Sequence, residues 1–590
     1  MEMLQYPFDG AQVLQKKRAL KKQLLQTPGL IDKKIAIVGG STVGEIKNML
    51  ELFLLNLGIR PTFWQGEYAL FYQNVVFDDG SLAAFAPDIL YIHTSNHNLR
   101  LWPNPADTPT EAAEKLNDEF AYFEAVWQAA EKLGCPVVQN NFEDPLWRNF
   151  GNLDASDMRG RVHHARAMNT RMAEYASSHP GFYIHDLAYL AALHGLDAWC
   201  DISTWYAYKY CCAVEFIPAL GHSLASQMGS LFGRTKKALA LDLDNTLWGG
   251  VVGEVGPEGI ELGSETPTGM AYAELQQYLK MLAQRGVLLN VASKNEEAAA
   301  ESGFARADSP LKREDFLCFE ANWGPKTHSI AQMATTLNIL PDSFVFMDDN
   351  PAERELVMQE LPEVTVPPVA VPEQSIALLD RAGYFEVSGL SADDIKRGEM
   401  YKQNAQRTQL EHSFGNYEDY LKSLEMTAEI VPFNPQQLER VTQLINKTNQ
   451  FNLTTRRYTN TETEHCMQSD AFITLSGKLV DKFGDNGITS AIIGSIQGQT
   501  LNIDLWIMSC RVFKRHLEYA MFDALVQAAK QRGITTITGR WLPTAKNLLV
   551  KDFYATIGFT LVSETEQERV FSYNVPASYQ PKNTVMKVEG

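Results

Sequence analysis

The chain has 590 residues, 45% hydrophobic and 21% charged, with a formal net charge of −19 at pH 7. That length exceeds what one hydrophobic core organises and predicts about three to four domains. The acidic balance argues against non-specific nucleic-acid binding, and no apolar run approaches the roughly 20 residues of a membrane span.

Residues 1–22, MEMLQYPFDGAQVLQKKRALKK, lack the apolar core of a signal peptide. Up to about residue 230, short apolar runs alternate with helical patterns. The runs at 33–40, 87–94, 136–141 and 181–186 read as strands of a parallel sheet, with helices over 110–134 and 161–178 between them. A second alternating segment starts at Lys236. Its strands are expected at 238–243, 286–293, 316–320 and 343–349, with helices at 268–285, 326–338 and 351–360. A charged helical connector follows over 387–425. The last segment reads as α+β: a strand at 426–433, a hairpin through the GDNG of 484–487, a long strand pair and a helix from about 514 to 532. The seven cysteines form no CxxC or Cys/His zinc spacing, which points to a reducing, cytoplasmic setting.

The second segment concentrates chemistry at its strand ends, where ligands of open α/β sheets bind. KKALALDLDNTLWGG ends a buried strand in Asp242, Asp244 and Thr246. NVASKN supplies Ser293 and Asn295, ANWGPK supplies Lys326, and FVFMDDN supplies Asp348 and Asp349. Carboxylates on neighbouring strand tips make an oxygen-rich site suited to Mg²⁺. Thr246 and Asn295 are candidates for contacting substrate. Between the first two motifs lie seven glycines in a short stretch, leaving no room for a large cap and predicting an open site.

These motifs, in order, resemble those of the haloacid dehalogenase superfamily of phosphohydrolases. The resemblance implies that Asp242 attacks phosphorus and that Asp244 protonates the leaving oxygen and then activates water. Ser293 and Lys326 would hold the phosphoryl oxygens. The ion would be bound by Asp242, by Asp244 through its backbone carbonyl, and by Asp348 or Asp349.

LDLDNTLWGGVVGEVGPEGIELG, FMDDNPAERE and INKTNQFNLTTRRY together resemble the FkbH-like family. Its members join a haloacid dehalogenase-like domain to a C-terminal acetyltransferase-like (GNAT-like) domain. Some take a glyceryl unit from 1,3-bisphosphoglycerate, remove phosphate and load the acyl group on an acyl carrier protein. The resemblance thus implies a phosphorylated small-molecule donor and the phosphopantetheine of a carrier protein as acceptor.

In IDLWIMSCRVFKRHLE, Cys510 is expected near a helix N-terminus among Arg511, Lys514, Arg515 and His516. Such a setting favours a thiolate able to carry an acyl group; a small residue filling a strand end is the other reading. Lys514 and His516 stand where the acetyltransferase phosphate loop has glycines, which argues against ordinary acetyl-CoA binding. Arg511 remains a candidate for phosphopantetheine's phosphate. Asn449, Gln450 and Asn452 suit either an amide-rich pantetheine arm or an Asx-type turn. Asp485 reads as a hairpin residue rather than a catalytic one.

In the first segment, IAIVGGSTVGE and HTSNHN place Ser41 and Asn96 after strands, similar to a degenerate SGNH hydrolase. Asp201-Ile202-Ser203-Thr204 lacks the histidine such a site needs, leaving His93, His97 or His185 as substitutes. A non-catalytic docking role is favoured, with Ser41 kept as a candidate.

The expected fold is therefore multi-domain α/β. It comprises an SGNH-like α/β domain (1–232), a haloacid dehalogenase-like doubly wound parallel sheet (233–385), a helical connector (386–425) and a GNAT-like α+β domain (426–590). The expected function is Mg²⁺-dependent dephosphorylation and acyl loading. A phosphatase acting on a sugar phosphate or other metabolite, and a non-catalytic carrier scaffold, stand as alternatives.

Overall fold

The computed structural model describes residues 2–589 apart from 370, 412 and 545. The chain divides into two compact units. One holds Met1–Leu231 with Thr459–Thr461; the other holds Phe232–Tyr458 with Glu462–Gly590. Both are mixed α/β, and among the described residues no helix is long and apolar enough to cross a membrane.

The first unit is built on five strands: β1 (Ile31–Gly39), β2 (Ile59–Gln65), β3 (Ile89–His93), β4 (Val137–Asn140) and β5 (Phe182–His185). All pairs are parallel, in the order β2-β1-β3-β4-β5. Strand β3 is buried throughout because helices cover both faces of the sheet. The helix Pro109–Glu131 starts where Thr108 and Glu111 exchange side-chain-to-backbone hydrogen bonds, with proline at its first position. Its Phe123, Val126 and Trp127 are buried against Met168 and Met172 of the helix Arg161–Ser178. On another face, helices Gly44–Asn56 and Ile217–Leu231 cross at Gly221, where an added Cβ would meet the Cβ of Met49 at 2.6 Å. Strand β2 is not among the sequence-predicted strands. It is an edge strand interrupted by Pro61, which weakens its signal and is tolerated only at an edge.

The second unit contains two sheets. The smaller has β6 (Ala238–Leu241), β7 (Leu288–Ser293), β8 (Cys318–Ala321) and β9 (Phe344–Met347), all parallel in the order β8-β7-β6-β9. The four residues of β6 are fully buried. Helices Pro267–Gln284, Lys326–Thr336 and Pro351–Glu360 flank it, the first capped by the Thr266 hydroxyl and the last by Asn350.

The larger, nine-stranded sheet begins with β10 (Thr427–Val431), β11 (Phe451–Asn452), β12 (Phe472–Asp481), β13 (Gly484–Gln497) and β14 (Thr500–Met508). It ends with β15 (Thr536–Trp541), β16 (Thr560–Glu564), β17 (Arg569–Asn574) and β18 (Lys587–Glu589). The pairs β14–β15 and β10–β18 are parallel, and the others are antiparallel.

Two sequence expectations for this sheet are corrected. The hairpin does not turn at GDNG: Asp481 pairs with Gly484, and GDNG lies inside β13. The Asp481 carboxylate accepts the backbone N–H groups of Phe483 and Gly484, which sets the turn earlier. The helix expected from 514 spans Leu517–Gln531, because Lys514 and His516 both take left-handed backbone conformations ahead of it.

The connector is more than a tether. In the helix Arg397–Glu411, Tyr401 is buried among Ala238, Leu288 and Phe344, at the amino ends of three strands of the parallel sheet. Three residues of chain further on from Asn404, Arg407 is 2% exposed and pairs bidentately with Asp481, at 2.7 and 2.8 Å.

Candidate functional site

The parallel ladder carries the site. Strand β6 pairs with β9, and the Asp242 N–H continues that ladder by donating to the Met347 carbonyl at 2.9 Å. Asp242 therefore stands beside Asp348, the first residue after β9. Carboxylate oxygens of Asp242, Asp348 and Asp349 all lie within 4.8 Å of one another. Lys326, the first residue of its helix and 4% exposed, reaches Asp242 at 2.9 Å and Asp348 at 2.5 Å.

Burial pushes the Asp242 carboxyl up to about 6; Lys326 opposes this, Asp348 adds to it, and the Ser293 hydroxyl pulls it back. Asp349 is also raised, by burial and then by Asp348. Burial works to lower the pKa of Lys326, but the Asp242 and Asp348 carboxylates outweigh it and hold the ammonium above the usual lysine range. Three acidic groups sharing a largely dehydrated corner, with a single ammonium between two of them, have the donor set for a hard divalent cation.

Asp244 is held differently. Its carboxylate accepts from the Trp248 indole at 2.9 Å, the Val252 backbone at 3.0 Å and the Asn295 amide at 2.8 Å. The side chain is thus outside the three-carboxylate group, consistent with any contact to an ion running through its backbone carbonyl. Asn295, expected at the substrate, instead orients Asp244. Thr246, likewise expected at the substrate, accepts the Asp349 N–H at 3.1 Å and bonds its carboxylate at 3.4 Å. Two supporting groups escaped sequence reasoning. Trp248, fully buried, follows directly in the DNTLW run, and Arg354 donates to the carbonyls of both Asp348 and Asp349 at 2.7 Å. Gly249 and Glu261 pair as an isolated bridge, and among the described residues the segment between the first two motifs forms no cap domain.

The other candidates are not brought to this corner. Cys510 opens a short turn, Cys510–Val512, seven residues before the helix Leu517–Gln531 rather than at that helix's start. Its carbonyl accepts from Asn338 at 2.9 Å, and its Sγ lies 4.0 Å from the Tyr401 hydroxyl. Its neighbour Tyr401 belongs to the core cluster at the start of β6, which Lys237 immediately precedes and Asp242 immediately follows. The five residue steps from Lys237 to Asp242 along the extended strand separate the two ends by about 16 Å. Arg511 donates to Ser509 at 3.2 Å and touches the Met400 sulfur.

Asn452 is fully buried and closes a turn by accepting the Thr455 N–H at 2.8 Å, while Asn449 accepts from Arg457. These two follow the Asx-turn reading; Gln450 sits half-buried on the same turn. Asp485 pairs with Lys478 at 2.9 Å.

In the first unit, Ser41 lies just past β1, 2% exposed, and among the described residues its hydroxyl meets no hydrogen-bonding partner. Among the described residues no histidine is hydrogen-bonded to it. His93 bonds Tyr91 and Asn140, His185 bonds Asn140 and Ser223, and His97 stacks on Trp205 at 3.7 Å, with burial pushing its pKa down to about 4. Asp201 caps the helix Ile202–Tyr208, and Asn96 donates to the Asp144 carbonyl. A cleft of about 600 Å³ in this unit is lined by Cys200, Asp201 and Glu215, among others, without Ser41.

A parallel sheet whose adjacent tips carry DxDxT, a serine, a helix-start lysine and paired aspartates defines a phosphatase-like domain of the haloacid dehalogenase type. The chain is similar to the N-terminal part of BF1531 from Bacteroides fragilis, a protein containing a phosphatase domain and solved with Mg. The likeness has 27% identity over 63% of this chain and 99% of that one, with a TM-score of 0.58. Residues 34–226 match the family model described as FkbH, N-terminal domain. A shorter likeness, over 27% of this chain and 99% of the other, is to the ribosomal-protein-S18-alanine N-acetyltransferase from Escherichia coli, with 10% identity and a TM-score of 0.21. No curated protein matches the chain.

Proposed function

We propose that the protein is a Mg²⁺-dependent phosphatase coupled to an acyltransferase. In this reading 233–385 removes phosphate from a phosphorylated three-carbon acyl donor such as 1,3-bisphosphoglycerate. Residues 426–590 pass the acyl group to the phosphopantetheine thiol of an acyl carrier protein. The observation that carries the phosphatase half is the group Asp242, Asp348 and Asp349 beside Lys326. A bound Mg²⁺ would be held by those carboxylates and would supply positive charge against the phosphoryl oxygens. Asp242 is placed to attack phosphorus, breaking the ester P–O bond. Asp244, fixed in orientation by Trp248, Val252 and Asn295, gives a proton to the leaving oxygen and later takes one from the attacking water. Lys326 and Ser293 stabilise the transferring group.

In the acyl half, the Cys510 sulfur attacks the carbonyl carbon of the acyl phosphate. The bond from carbon to phosphate oxygen breaks, and the thiol proton leaves on the phosphate. Thioester exchange with the carrier thiol follows. The acyl phosphate and the phosphate ester of such a donor are different groups, so the two sites need not meet. The separation of Cys510 from Asp242 along β6 favours one further reading, a phosphatase acting alone on a small phosphate ester with the last sheet serving as a binding module.

The test is incubation with 1,3-bisphosphoglycerate, Mg²⁺ and a holo-carrier protein, followed by intact mass measurement of both proteins. The proposal expects a glyceryl adduct on the carrier that disappears with Cys510→Ala, and an adduct that keeps its phosphate ester with Asp242→Asn. Phosphate release with no adduct on either protein establishes the second reading. Neither product refutes both and leaves a scaffold.

A further inference from the structure

One large side chain beside the phosphatase-like site has no part in the chemistry above. Trp323 is 68% exposed, although it sits between the end of β8 and Lys326, which reaches both Asp242 and Asp348. The loop that carries it is firmly held. The Asn322 N–H donates to the Ser293 carbonyl at 3.0 Å, the Asn322 side chain accepts the Gly324 N–H at 2.9 Å, and Pro325 fixes the backbone just before the helix. The indole N–H donates at 2.8 Å to Glu296, in the loop after β7, so the ring is turned inward from the edge strand. Glu296 adjoins Asn295, whose amide holds Asp244 at 2.8 Å. The ring therefore stands on the Asp244 side of the corner, where the leaving oxygen departs. The turn Val252–Val255 lies against the same loop: a Cβ added at Gly253 would come 3.4 Å from the Asn295 amide oxygen. Among the described residues no aromatic ring or cation stacks on Trp323.

An indole fixed through its N–H and bare on its faces is a platform for a ligand rather than a core residue. Its distance from phosphorus sets what it can touch. Strand β8 is two strand spacings from β6, about 10 Å. A three-carbon alcohol whose phosphorus lies at Asp242 is too short to cover the ring, whereas an ester that continues into an arm reaches it. We propose that Trp323 is a specificity-determining residue that packs against the arm of a phosphate ester whose acyl unit is already joined to pantetheine as a thioester. This rests on the phosphatase reading of Asp242 and names the substrate of that site: the arm-borne phosphoglyceryl group rather than the free three-carbon acid. The flat amides and the methyl groups of pantetheine match the ring face, and the uncapped site leaves the arm a way out.

Initial rates of phosphate release by the full chain with Mg²⁺, from S-(3-phosphoglyceryl)pantetheine and from 3-phosphoglycerate, put this to the test, because the two compounds carry the same phosphate ester. The wild-type chain is expected to favour the thioester in kcat/KM. Trp323→Ala should lower the ratio of the two kcat/KM values about tenfold, through the KM of the thioester, and Trp323→Phe should restore most of it. A merely structural ring would instead lower kcat for both compounds together. An unaltered ratio in Trp323→Ala, a common fall in kcat, or a wild-type preference for the free acid overturns the inference while the phosphatase reading stands. Release from neither compound sinks the phosphatase reading, and this inference with it.

Discussion

Lowering pH should weaken Mg²⁺ binding with a slope set by one carboxyl group. Burial pushes Asp242 up to about 6, so below that value an incoming cation must displace a proton. The apparent dissociation constant is then multiplied by one plus the ratio of proton concentration to the acid constant. That factor is about 1.1 at pH 7, about 11 at pH 5 and about 100 at pH 4. The same group shapes stability without the ion. Its folded pKa lies above its ordinary value of 3.8, so its favourable contribution is fully present below that value and is lost as pH rises to about 6. The loss totals about 3 kcal/mol at 1.36 kcal/mol per pH unit. Mg²⁺ should therefore raise the unfolding midpoint most at neutral pH and least near pH 4. Isothermal titration across this range, with denaturant unfolding at matched pH, measures both. Asp242→Asn should remove the slope, leaving what Asp349 contributes. A Mg²⁺ affinity that is flat between pH 5 and 7, or an unchanged slope in that variant, refutes the argument.

Replacing Asn295 with Ala removes one of three donors to Asp244 and should lower phosphatase kcat by about 10–100-fold with KM little changed. Steady-state kinetics with a small phosphate ester checks it. Asp481→Ala leaves Arg407 and Arg515 buried without their shared carboxylate. Urea unfolding should show a loss of about 3–5 kcal/mol. Gly221→Leu forces a side chain into Met49 where the helices touch, and should cost about 1–3 kcal/mol in the same measurement.

Much of the phosphatase-like site was legible because its signals are local. ALAL followed by an aspartate is a buried strand with a charged tip, and Lys326 and Asp348 likewise sit within a residue of an element boundary. What each group does beside its neighbours was less legible. Asn295 and Thr246 have the chemistry of substrate contacts, yet long-range geometry turns them onto Asp244 and Asp349. The GDNG turn signal lost to a carboxylate three residues earlier that bonds the turn's N–H groups. Cys510 carried the right basic neighbours in sequence. Nothing in its spacing could reveal that Asn338 and Tyr401, far away in the chain, meet it, or that a whole strand separates that end of the sheet from Asp242. Arg407 gave no signal of its own within the charged connector because its partner Asp481 is 74 residues away.

That helix has a practical consequence. Tyr401 is embedded in one sheet's core and Arg407 in the other's hydrogen bonding, so neither sheet can come apart without stripping a side chain from its socket. Heat should accordingly melt 232–458 together with the last sheet in a single calorimetric peak. Trypsin should cut 397–411 only after that transition, and a fragment truncated at 425 should express as an aggregation-prone product rather than a well-behaved domain.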